Sequence, residues 1–309
     1  MRCSGILMHI SSLPGPYGIG TMGKRAFEFI DFLEEAGQSI WQILPLNPTG
    51  YGDSPYQSCS TFAGNHYLID LDALVEEGLL KKEELEQIQW SRSETKADFG
   101  LLYNNRLNVL HKAYERFAAV EELDAFCLKN SSWLSDFALF MALKNRFSGK
   151  PWYQWDKDLK FRDPDAIWTA RQELKDEIRF FSFVQFLFFK QWNALRSYAH
   201  SKNIRIIGDV PIYVPYDSVE VWKDTELFQL DERLDPVSVA GCPPDAFSED
   251  GQLWGNPLYR WDVMEEDGFG WWIRRLAAAG ELYDIVRMDH FRGLEAYWSI
   301  PYGDTTAKG

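Results

Sequence analysis

The first candidates for chemistry are Arg287 and Asp289, at the end of a short apolar run that begins at Ile285. Side chains two residues apart on a strand point to the same face, so the guanidinium and the carboxylate would lie together at the strand tip. A carboxylate that attacks a sugar carbon must stay ionised in a partly dry site, and a neighbouring arginine favours this. Asp289 is therefore the nucleophile candidate. The alternative is an Arg–Asp ion pair that only closes the strand end.

Three more polar side chains lie on or just after predicted strands. Asp209 ends another apolar run, in Gly-Asp-Val-Pro, and is interpreted as a carboxylate that binds a hydroxyl in the same pocket as Asp289, with a structural turn as the alternative. His290 could bind a sugar hydroxyl or bridge backbone groups, and alternation turns it away from Asp289 unless the strand has already ended. His9, on the first predicted strand, is interpreted as a hydrogen-bonded core histidine.

Aromatic residues make up 16% of the chain, and several lie in polar, glycine-rich loops that follow strands. A neutral sugar offers a C–H face to stack on a ring and hydroxyls to bind, so rings beside carboxylates and amides suit it. Each ring alone could equally anchor its loop, but their shared position favours binding. The candidates, with two neighbouring polar residues, are Tyr51, Tyr56, Phe247, Trp254, Asp245 and Asn256.

The charge balance restricts the partners. The 309 residues include 32 Lys plus Arg and 46 Asp plus Glu, for a formal net charge of −14, which disfavours nucleic acid and anionic membranes. A neutral glycan meets no such repulsion. The four cysteines are far apart and fit neither a zinc site nor a disulfide framework, so we expect a reducing cytoplasm. Metal-ligand spacing and phosphate loops are also missing from the sequence, and we predict no metal and no cofactor.

Short apolar runs alternate with amphipathic segments, as in an α/β protein. The pattern predicts strands over 5–10, 40–45, 204–211 and 282–289. Helices are expected around 26–33 with Gly37 as the C-terminal cap, over 176–200, and over 269–279 with Gly280 as the stop. Four strand–helix alternations, with insertions after strands, predict the first four units of a (β/α) TIM-type barrel whose active face is built by loops.

Two insertions divide the chain. We predict strands 1 and 2 with helix 1 in 1–46, a largely helical subdomain in 47–175, and a barrel helix with strand 3 in 176–212. A loop lobe follows in 213–262, and 263–309 holds the next barrel helix and strand 4. A closed barrel needs eight strands. We therefore expect either a fragment or a half-barrel that associates with another chain through its open sheet edges.

Six segments together resemble the 4-α-glucanotransferases, also called amylomaltases or disproportionating enzymes. The resemblance runs from end to end of this chain but covers only the N-terminal part of the family. The six segments are Ser4–Gly15, Gly52–Gln57, Ile207–Tyr213, Val239–Asp245, Trp254–Tyr259 and Arg287–Gly293.

The resemblance implies an α-amylase-like barrel that transfers α-1,4-glucan segments to glucose or maltooligosaccharide acceptors by a retaining double displacement. Asp289 matches the family's nucleophile and Arg287 its partner arginine. Asp209 and Tyr56 match a carboxylate and an aromatic platform at the sugar beside the cleaved bond.

Three further matches concern substrate contacts away from that sugar. Asp245 and Phe247 match a flexible loop that covers the acceptor side, and Tyr51 matches a secondary glucan contact.

One catalytic group has no match. Retaining chemistry needs a second carboxyl group about 5–5.5 Å from the nucleophile to protonate the leaving oxygen. In the family this glutamate arrives on the next strand, a position that this sequence does not contain. Glu295 follows Asp289 closely, but we expect it on the loop rim. We therefore expect a 4-α-glucanotransferase polypeptide with little or no turnover as the 309-residue chain. The alternatives are a glucan-binding half-barrel completed by a separate chain, and a hydrolase of α-glucans.

Overall fold

The computed structural model describes residues 2–93, 95–246 and 248–308, with the side chain of Tyr51 left out. Its centre is a four-stranded parallel sheet in the order β1-β2-β3-β6, and β1 and β6 form the edges within this described part. These strands are β1 (Gly5–Leu7), β2 (Ile40–Gln42), β3 (Arg205–Val210) and β6 (Ile285–Met288). All four predicted strands are present and parallel, although each is shorter than its apolar run.

Helices connect the strands and fill the first insertion. The α-helices are α1 (Lys24–Glu35), α2 (Leu71–Glu76), α3 (Lys82–Glu86), α4 (Phe99–Arg116), α5 (Val120–Lys129), α6 (Leu134–Arg146), α7 (Lys157–Lys160), α8 (Pro164–Glu173), α9 (Lys175–Ser201), α10 (Val219–Lys223), α11 (Trp261–Glu266) and α12 (Gly270–Leu282). Short 3₁₀ turns occupy Ile10–Ser12, Tyr51–Asp53, His66–Leu68, Trp152–Gln154, Thr225–Leu227 and Phe291–Leu294. No helix in the described part of the chain is both long enough and apolar enough to cross a membrane.

The long helix α9 lies at the centre of the packing. Its apolar residues cover much of its circumference, and it contacts α1, α4, α5 and α6 as well as β3. Phe183, Phe188 and Trp192 on this helix are fully buried, and burial of each such side chain stabilises the fold by roughly 1.5–3 kcal/mol. The core beneath the parallel sheet therefore holds the strands, and so the groups at their carboxyl ends, in fixed positions.

The prediction of a loop lobe over residues 213–262 is wrong in part, because this region contains strands. Strands β4 (Ser238–Cys242) and β5 (Gln252–Pro257) pair with each other, and β4 also pairs with β7 (Trp298–Pro301), all antiparallel. Trp298–Pro301 comes from beyond the predicted lobe. Glycine and proline in these strands weaken their periodic signal, and the sheet depends on pairing between distant segments.

Two local predictions are also wrong. Gly280 does not stop α12, which continues to Leu282; the roughly 1 kcal/mol cost of a helical glycine is offset where Leu282 is buried against the core. His9 is buried as expected, but its Nδ1 atom has no hydrogen-bond partner among the described residues. Burial lowers the pKa of His9 to about 4, which keeps the ring neutral.

Candidate active site

The site begins at the tip of β6, where the chain turns sharply. The backbone N–H of Asp289 donates to the Val210 carbonyl at 3.0 Å, which ties the tip of β6 to the end of β3. The next residue, His290, has a φ of 50° and so has left the extended conformation. Because the strand ends at Met288, His290 is not turned away from Asp289. Both residues line the same cleft.

Arg287 lies between two carboxylates. Its Nη2 contacts Asp289 Oδ1 at 2.8 Å and its Nη1 contacts Asp209 Oδ2 at 2.5 Å. The second contact follows from the register, since Arg287 pairs directly with Asp209 across β3 and β6. Burial lowers the pKa of Arg287, but the charges of Asp209 and Asp289 outweigh this and raise the pKa overall. Arg287 thus joins the tips of β3 and β6 through one guanidinium.

Tyr56 connects the loop after β2 to this charge group. Its hydroxyl donates to Asp209 Oδ2 at 2.8 Å. Burial and the hydrogen bond to Asp209 raise the pKa of Tyr56, so the phenol stays protonated and remains a donor. Asp209 itself is only 2% exposed, and its Oδ1 has no partner among the described residues. The carboxylate is thus held by one cation and one phenol.

A cleft of about 290 Å³ opens beside Asp289. The Trp254 ring meets the His290 ring edge to face with centroids 4.9 Å apart. Asn256 Oδ1 accepts from the Gln57 side chain at 3.3 Å, which joins the loop after β2 to β5. The residues that line the cleft are Ser54, Tyr56, Gln57, Pro211, Ile212, Tyr213, Gln252, Trp254, Asn256, Asp289 and His290.

Sequence reasoning missed several of these residues. Gln57 and Tyr213 occur within segments that carry the family resemblance, but nothing in their local pattern indicated that they line the cleft. Gln252 opens strand β5, which was not predicted. Its position could be recognised only once β4 and β5 were known to pair.

Two further candidates, Asp245 and Glu295, do not line the cleft. Among the described residues, Asp245 does not line it, and its Oδ1 accepts from the Ser248 backbone N–H at 2.8 Å in its own loop. Glu295 is exposed after the turn at Phe291–Leu294, in keeping with a rim position. Phe247 lies outside the described residues, and of Tyr51 only the backbone is described.

The arrangement can bind a neutral polar ring and present an ionised carboxylate to it. Asp289 is the only carboxylate among the described residues that line the cleft. In the same described part of the chain, no group of three or more His, Cys, Asp and Glu side chains could hold a metal ion. Any chemistry at this site therefore centres on Asp289 with Arg287 and Asp209 behind it.

Parallel strands joined by helices, with a carboxylate, an arginine and aromatic rings at their carboxyl ends, define an α/β protein of the (β/α)-barrel class. The sequence profile of the 4-alpha-glucanotransferases matches residues 8–309. The chain belongs to the 4-alpha-glucanotransferase family.

Individual relatives agree with this assignment. The chain is 52% identical over 304 residues to the 4-alpha-glucanotransferase of Clostridium butyricum, covering 97% of this chain and 62% of the relative. It is 52% identical over 312 residues to that of Thermus thermophilus, covering 99% and 61%. The chain thus spans about three fifths of the length of these curated relatives.

Solved structures give the same fold. The amylomaltase from Streptococcus agalactiae in complex with acarbose superposes with a TM-score of 0.97 at 46% identity, covering 100% of this chain and 63% of that one. The amylomaltase from Corynebacterium glutamicum superposes with a TM-score of 0.77, covering 99% and 43%. At 18% identity, the second likeness concerns the fold alone.

Proposed function

We propose that this chain carries the nucleophile half of the active site of a 4-α-glucanotransferase. The observation that carries the proposal is the cation of Arg287 held between Asp289 and Asp209 at the carboxyl ends of β3 and β6. An aromatic, amide-lined cleft beside Asp289 suits an α-1,4-glucan. Membership of the 4-alpha-glucanotransferase family favours transfer between glucans as the reaction at this site.

In the proposed reaction, a carboxylate oxygen of Asp289 attacks the anomeric carbon. The glycosidic bond breaks, and its electron pair leaves on the oxygen of the departing glucan. An acceptor hydroxyl then attacks the same carbon from the opposite face and releases Asp289, so the configuration is retained. Arg287 holds Asp289 in place through the contact of its Nη2 with Asp289 Oδ1.

The departing oxygen needs a proton from a second carboxyl group, and the same group takes the proton of the acceptor hydroxyl in the second step. Asp209 is not suited to this, because its Oδ2 already accepts from Arg287 and Tyr56 and the residue does not line the cleft. No other acidic side chain lines the cleft within the described residues. We therefore propose that the 309-residue chain alone turns over slowly or not at all, since loss of the general acid costs roughly 10²–10⁴-fold.

The remaining roles concern binding. We propose that Tyr56 stacks on the sugar beside the cleaved bond while Asp209 binds its hydroxyls. Trp254, Asn256 and His290 would contact the next sugar through ring and polar groups.

Three residues would act further from the cleaved bond. The same proposal gives Asp245 and Phe247 a role in covering the acceptor side. Tyr51 would provide a secondary glucan contact.

The test is product analysis with maltotriose. The protein at the length its gene encodes should form glucose together with longer maltooligosaccharides, and Asp289→Asn should abolish both products. The 309-residue chain should form neither at a comparable rate. Release of reducing ends without longer products would favour the hydrolase instead. Asp289-dependent transfer by the 309-residue chain itself would refute the missing-acid argument.

A half-barrel completed by another chain is the second candidate. It is favoured by β1 and β6, which form the edges of the parallel sheet within the described residues, and by the exposed side chains Leu7 and Phe291, which are 55% and 67% accessible. Mixing the 309-residue chain with a separately expressed partner half should then restore transfer. A strictly monomeric chain that no partner activates would count against it. The net charge of −14 and four free cysteines are compatible with a cytoplasmic location and a neutral partner.

A further inference from the structure

Arg275 lies beneath the cleft on α12 and is only 3% exposed. Its guanidinium makes no ion pair within 4 Å among the described residues. Burial of the cation lowers the pKa of Arg275. A buried charge without a carboxylate in contact is costly, so its remaining contacts should have a function.

Those contacts are two consecutive backbone carbonyls and, at 3.4 Å from Nη1, the hydroxyl of Tyr259. Nη1 donates to the Ile212 carbonyl at 2.9 Å, and Nη2 donates to the Pro211 carbonyl. Pro211 and Ile212 both line the cleft, and Pro211 is only two residues after Asp209 in the sequence. The planar fork of an arginine can hold two such acceptors at once, which a lysine cannot do with the same geometry.

Neighbouring side chains keep this fork in place. The cation lies over the rings of Trp271 and Trp272, 5.4 and 5.0 Å from their centroids. Tyr259 donates its hydroxyl to the same Ile212 carbonyl at 2.7 Å, and its ring stacks on Tyr213, with centroids 5.9 Å apart.

Glu220, which is also buried, holds the loop after β2. Its Oε1 accepts from the Thr61 backbone N–H at 2.8 Å and from Ser60 Oγ at 3.1 Å. The charge of Glu220 also favours the cation of Arg275. Glu220 thus fixes the loop after β2, and Arg275 fixes the segment after β3. These two segments carry Tyr56 and Tyr213 to the cleft.

We propose that Arg275 is a positioning residue for glucan transfer: by holding the Pro211 and Ile212 carbonyls, it fixes the cleft wall that follows Asp209. This inference rests on the proposed function, because the reaction measured in its test is glucan transfer. Arg275 touches no substrate and acts through the backbone. Displacement of a positioning element by about 1 Å can cost roughly 10²-fold in rate.

The test compares Arg275→Met, Arg275→Lys and the parent in the protein at the length its gene encodes. Arg275→Met should lower kcat about 10²-fold, with a smaller change in KM. Arg275→Lys should recover part of the loss because it keeps one donor. In Arg275→Ala, added guanidinium at millimolar concentration should restore activity, whereas urea at the same concentration should not.

Arg106 provides a matched control. It is also buried, donates to two backbone carbonyls (Tyr67 at 3.0 Å and Ile69 at 3.4 Å) and lies over the Trp90 ring, but the residues whose carbonyls it holds do not line the cleft. Arg106→Met should lower the thermal midpoint as Arg275→Met does and leave kcat and KM of the folded protein unchanged.

Equal kinetics for the two methionine variants and the parent would overturn the positioning role. A parent without transfer activity would refute the proposed function instead. The dissociation constant for maltotriose would then decide the role of Arg275. We expect it to rise at least 10-fold in Arg275→Met and to stay constant in Arg106→Met, and an unchanged constant in both would again overturn the role.

Discussion

The buried carboxyl of Glu220 should make the stability of this protein depend on pH in one direction. Burial raises the pKa of Glu220 from 4.5 to about 7, and the hydrogen bonds from Thr61 and Ser60 oppose that shift only in part. Its Oε2 has no partner among the described residues. The perturbation that tests this is Glu220→Gln, which keeps an acceptor for Thr61 and Ser60 but cannot ionise.

The sign follows from linkage. Below about pH 4.5, Glu220 is protonated in both the folded and the unfolded protein. Between pH 4.5 and 7, the unfolded chain has lost this proton while the folded protein still holds it, so rising pH lowers the free energy of unfolding. The shift from 4.5 to about 7 corresponds to a loss of roughly 3 kcal/mol, complete above pH 7. Glu220→Gln removes this loss.

The buried His9 and the half-buried His66 act in the opposite direction. Burial lowers the pKa of His9 to about 4 and that of His66 to about 3. Stability from these neutral rings is present above pH 6.5 and is lost as pH falls towards the folded pKa values. Because both histidines are present in the parent and in the variant, they cancel when the two proteins are compared at each pH.

The assay is urea unfolding, followed by tryptophan fluorescence and far-UV circular dichroism, at intervals from pH 5 to 8.5. The free energy of unfolding of Glu220→Gln minus that of the parent should rise by roughly 2–3 kcal/mol across this range. The exposed Glu226 supplies the control, since Glu226→Gln should give a difference that stays constant to about 0.5 kcal/mol. A flat difference for Glu220→Gln would refute the argument from burial.

Three further substitutions test the neighbourhood of the site. Arg287→Met should lower the free energy of unfolding by roughly 1–3 kcal/mol in urea titrations at pH 7, because the 2% exposed Asp209 loses its cation while the 46% exposed Arg287 is screened by solvent; a loss below about 0.5 kcal/mol would contradict this. Tyr56→Phe removes the hydroxyl that donates to Asp209 at 2.8 Å and should raise the calorimetric dissociation constant for maltotriose roughly 10-fold. An unchanged dissociation constant would show that this hydrogen bond does not contribute to maltotriose binding. Gly208→Ala places a Cβ on the ring of Tyr283 and should lower the urea midpoint by the equivalent of roughly 1–3 kcal/mol, and a neutral effect would mean that the ring moves freely.

The sequence predicted the parallel strands well because buried parallel strands are continuous apolar runs, and each run was followed by a turn or a polar tip. It overestimated their lengths, since an apolar residue beyond the last ladder hydrogen bond is buried just as well. Gly280 misled the analysis for a related reason. A glycine weakens a helix but does not end it when the following Leu282 is buried.

The positions of candidate residues were predicted most reliably where strand periodicity determined the direction of their side chains. Arg287 and Asp289 contact each other because they are two apart on one strand. Asp245 was proposed from the resemblance, and its loop keeps the carboxylate on Ser248 instead of at the cleft. A loop has no periodicity from which the direction of a side chain could be inferred.

The sequence by itself therefore determined the order of the four parallel strands and of helices α1, α9 and α12, the charge of the molecule and the pairing of neighbours within one strand. Only the tertiary structure decided that Arg287 also binds Asp209, 78 residues away in the chain, and that Arg275 holds a carbonyl 63 residues away. The antiparallel sheet of β4, β5 and β7 likewise required distant segments to meet. Local patterns reflect interactions over one helical turn or one strand pleat, whereas these contacts exist only after the core has packed and closed the long loops between them.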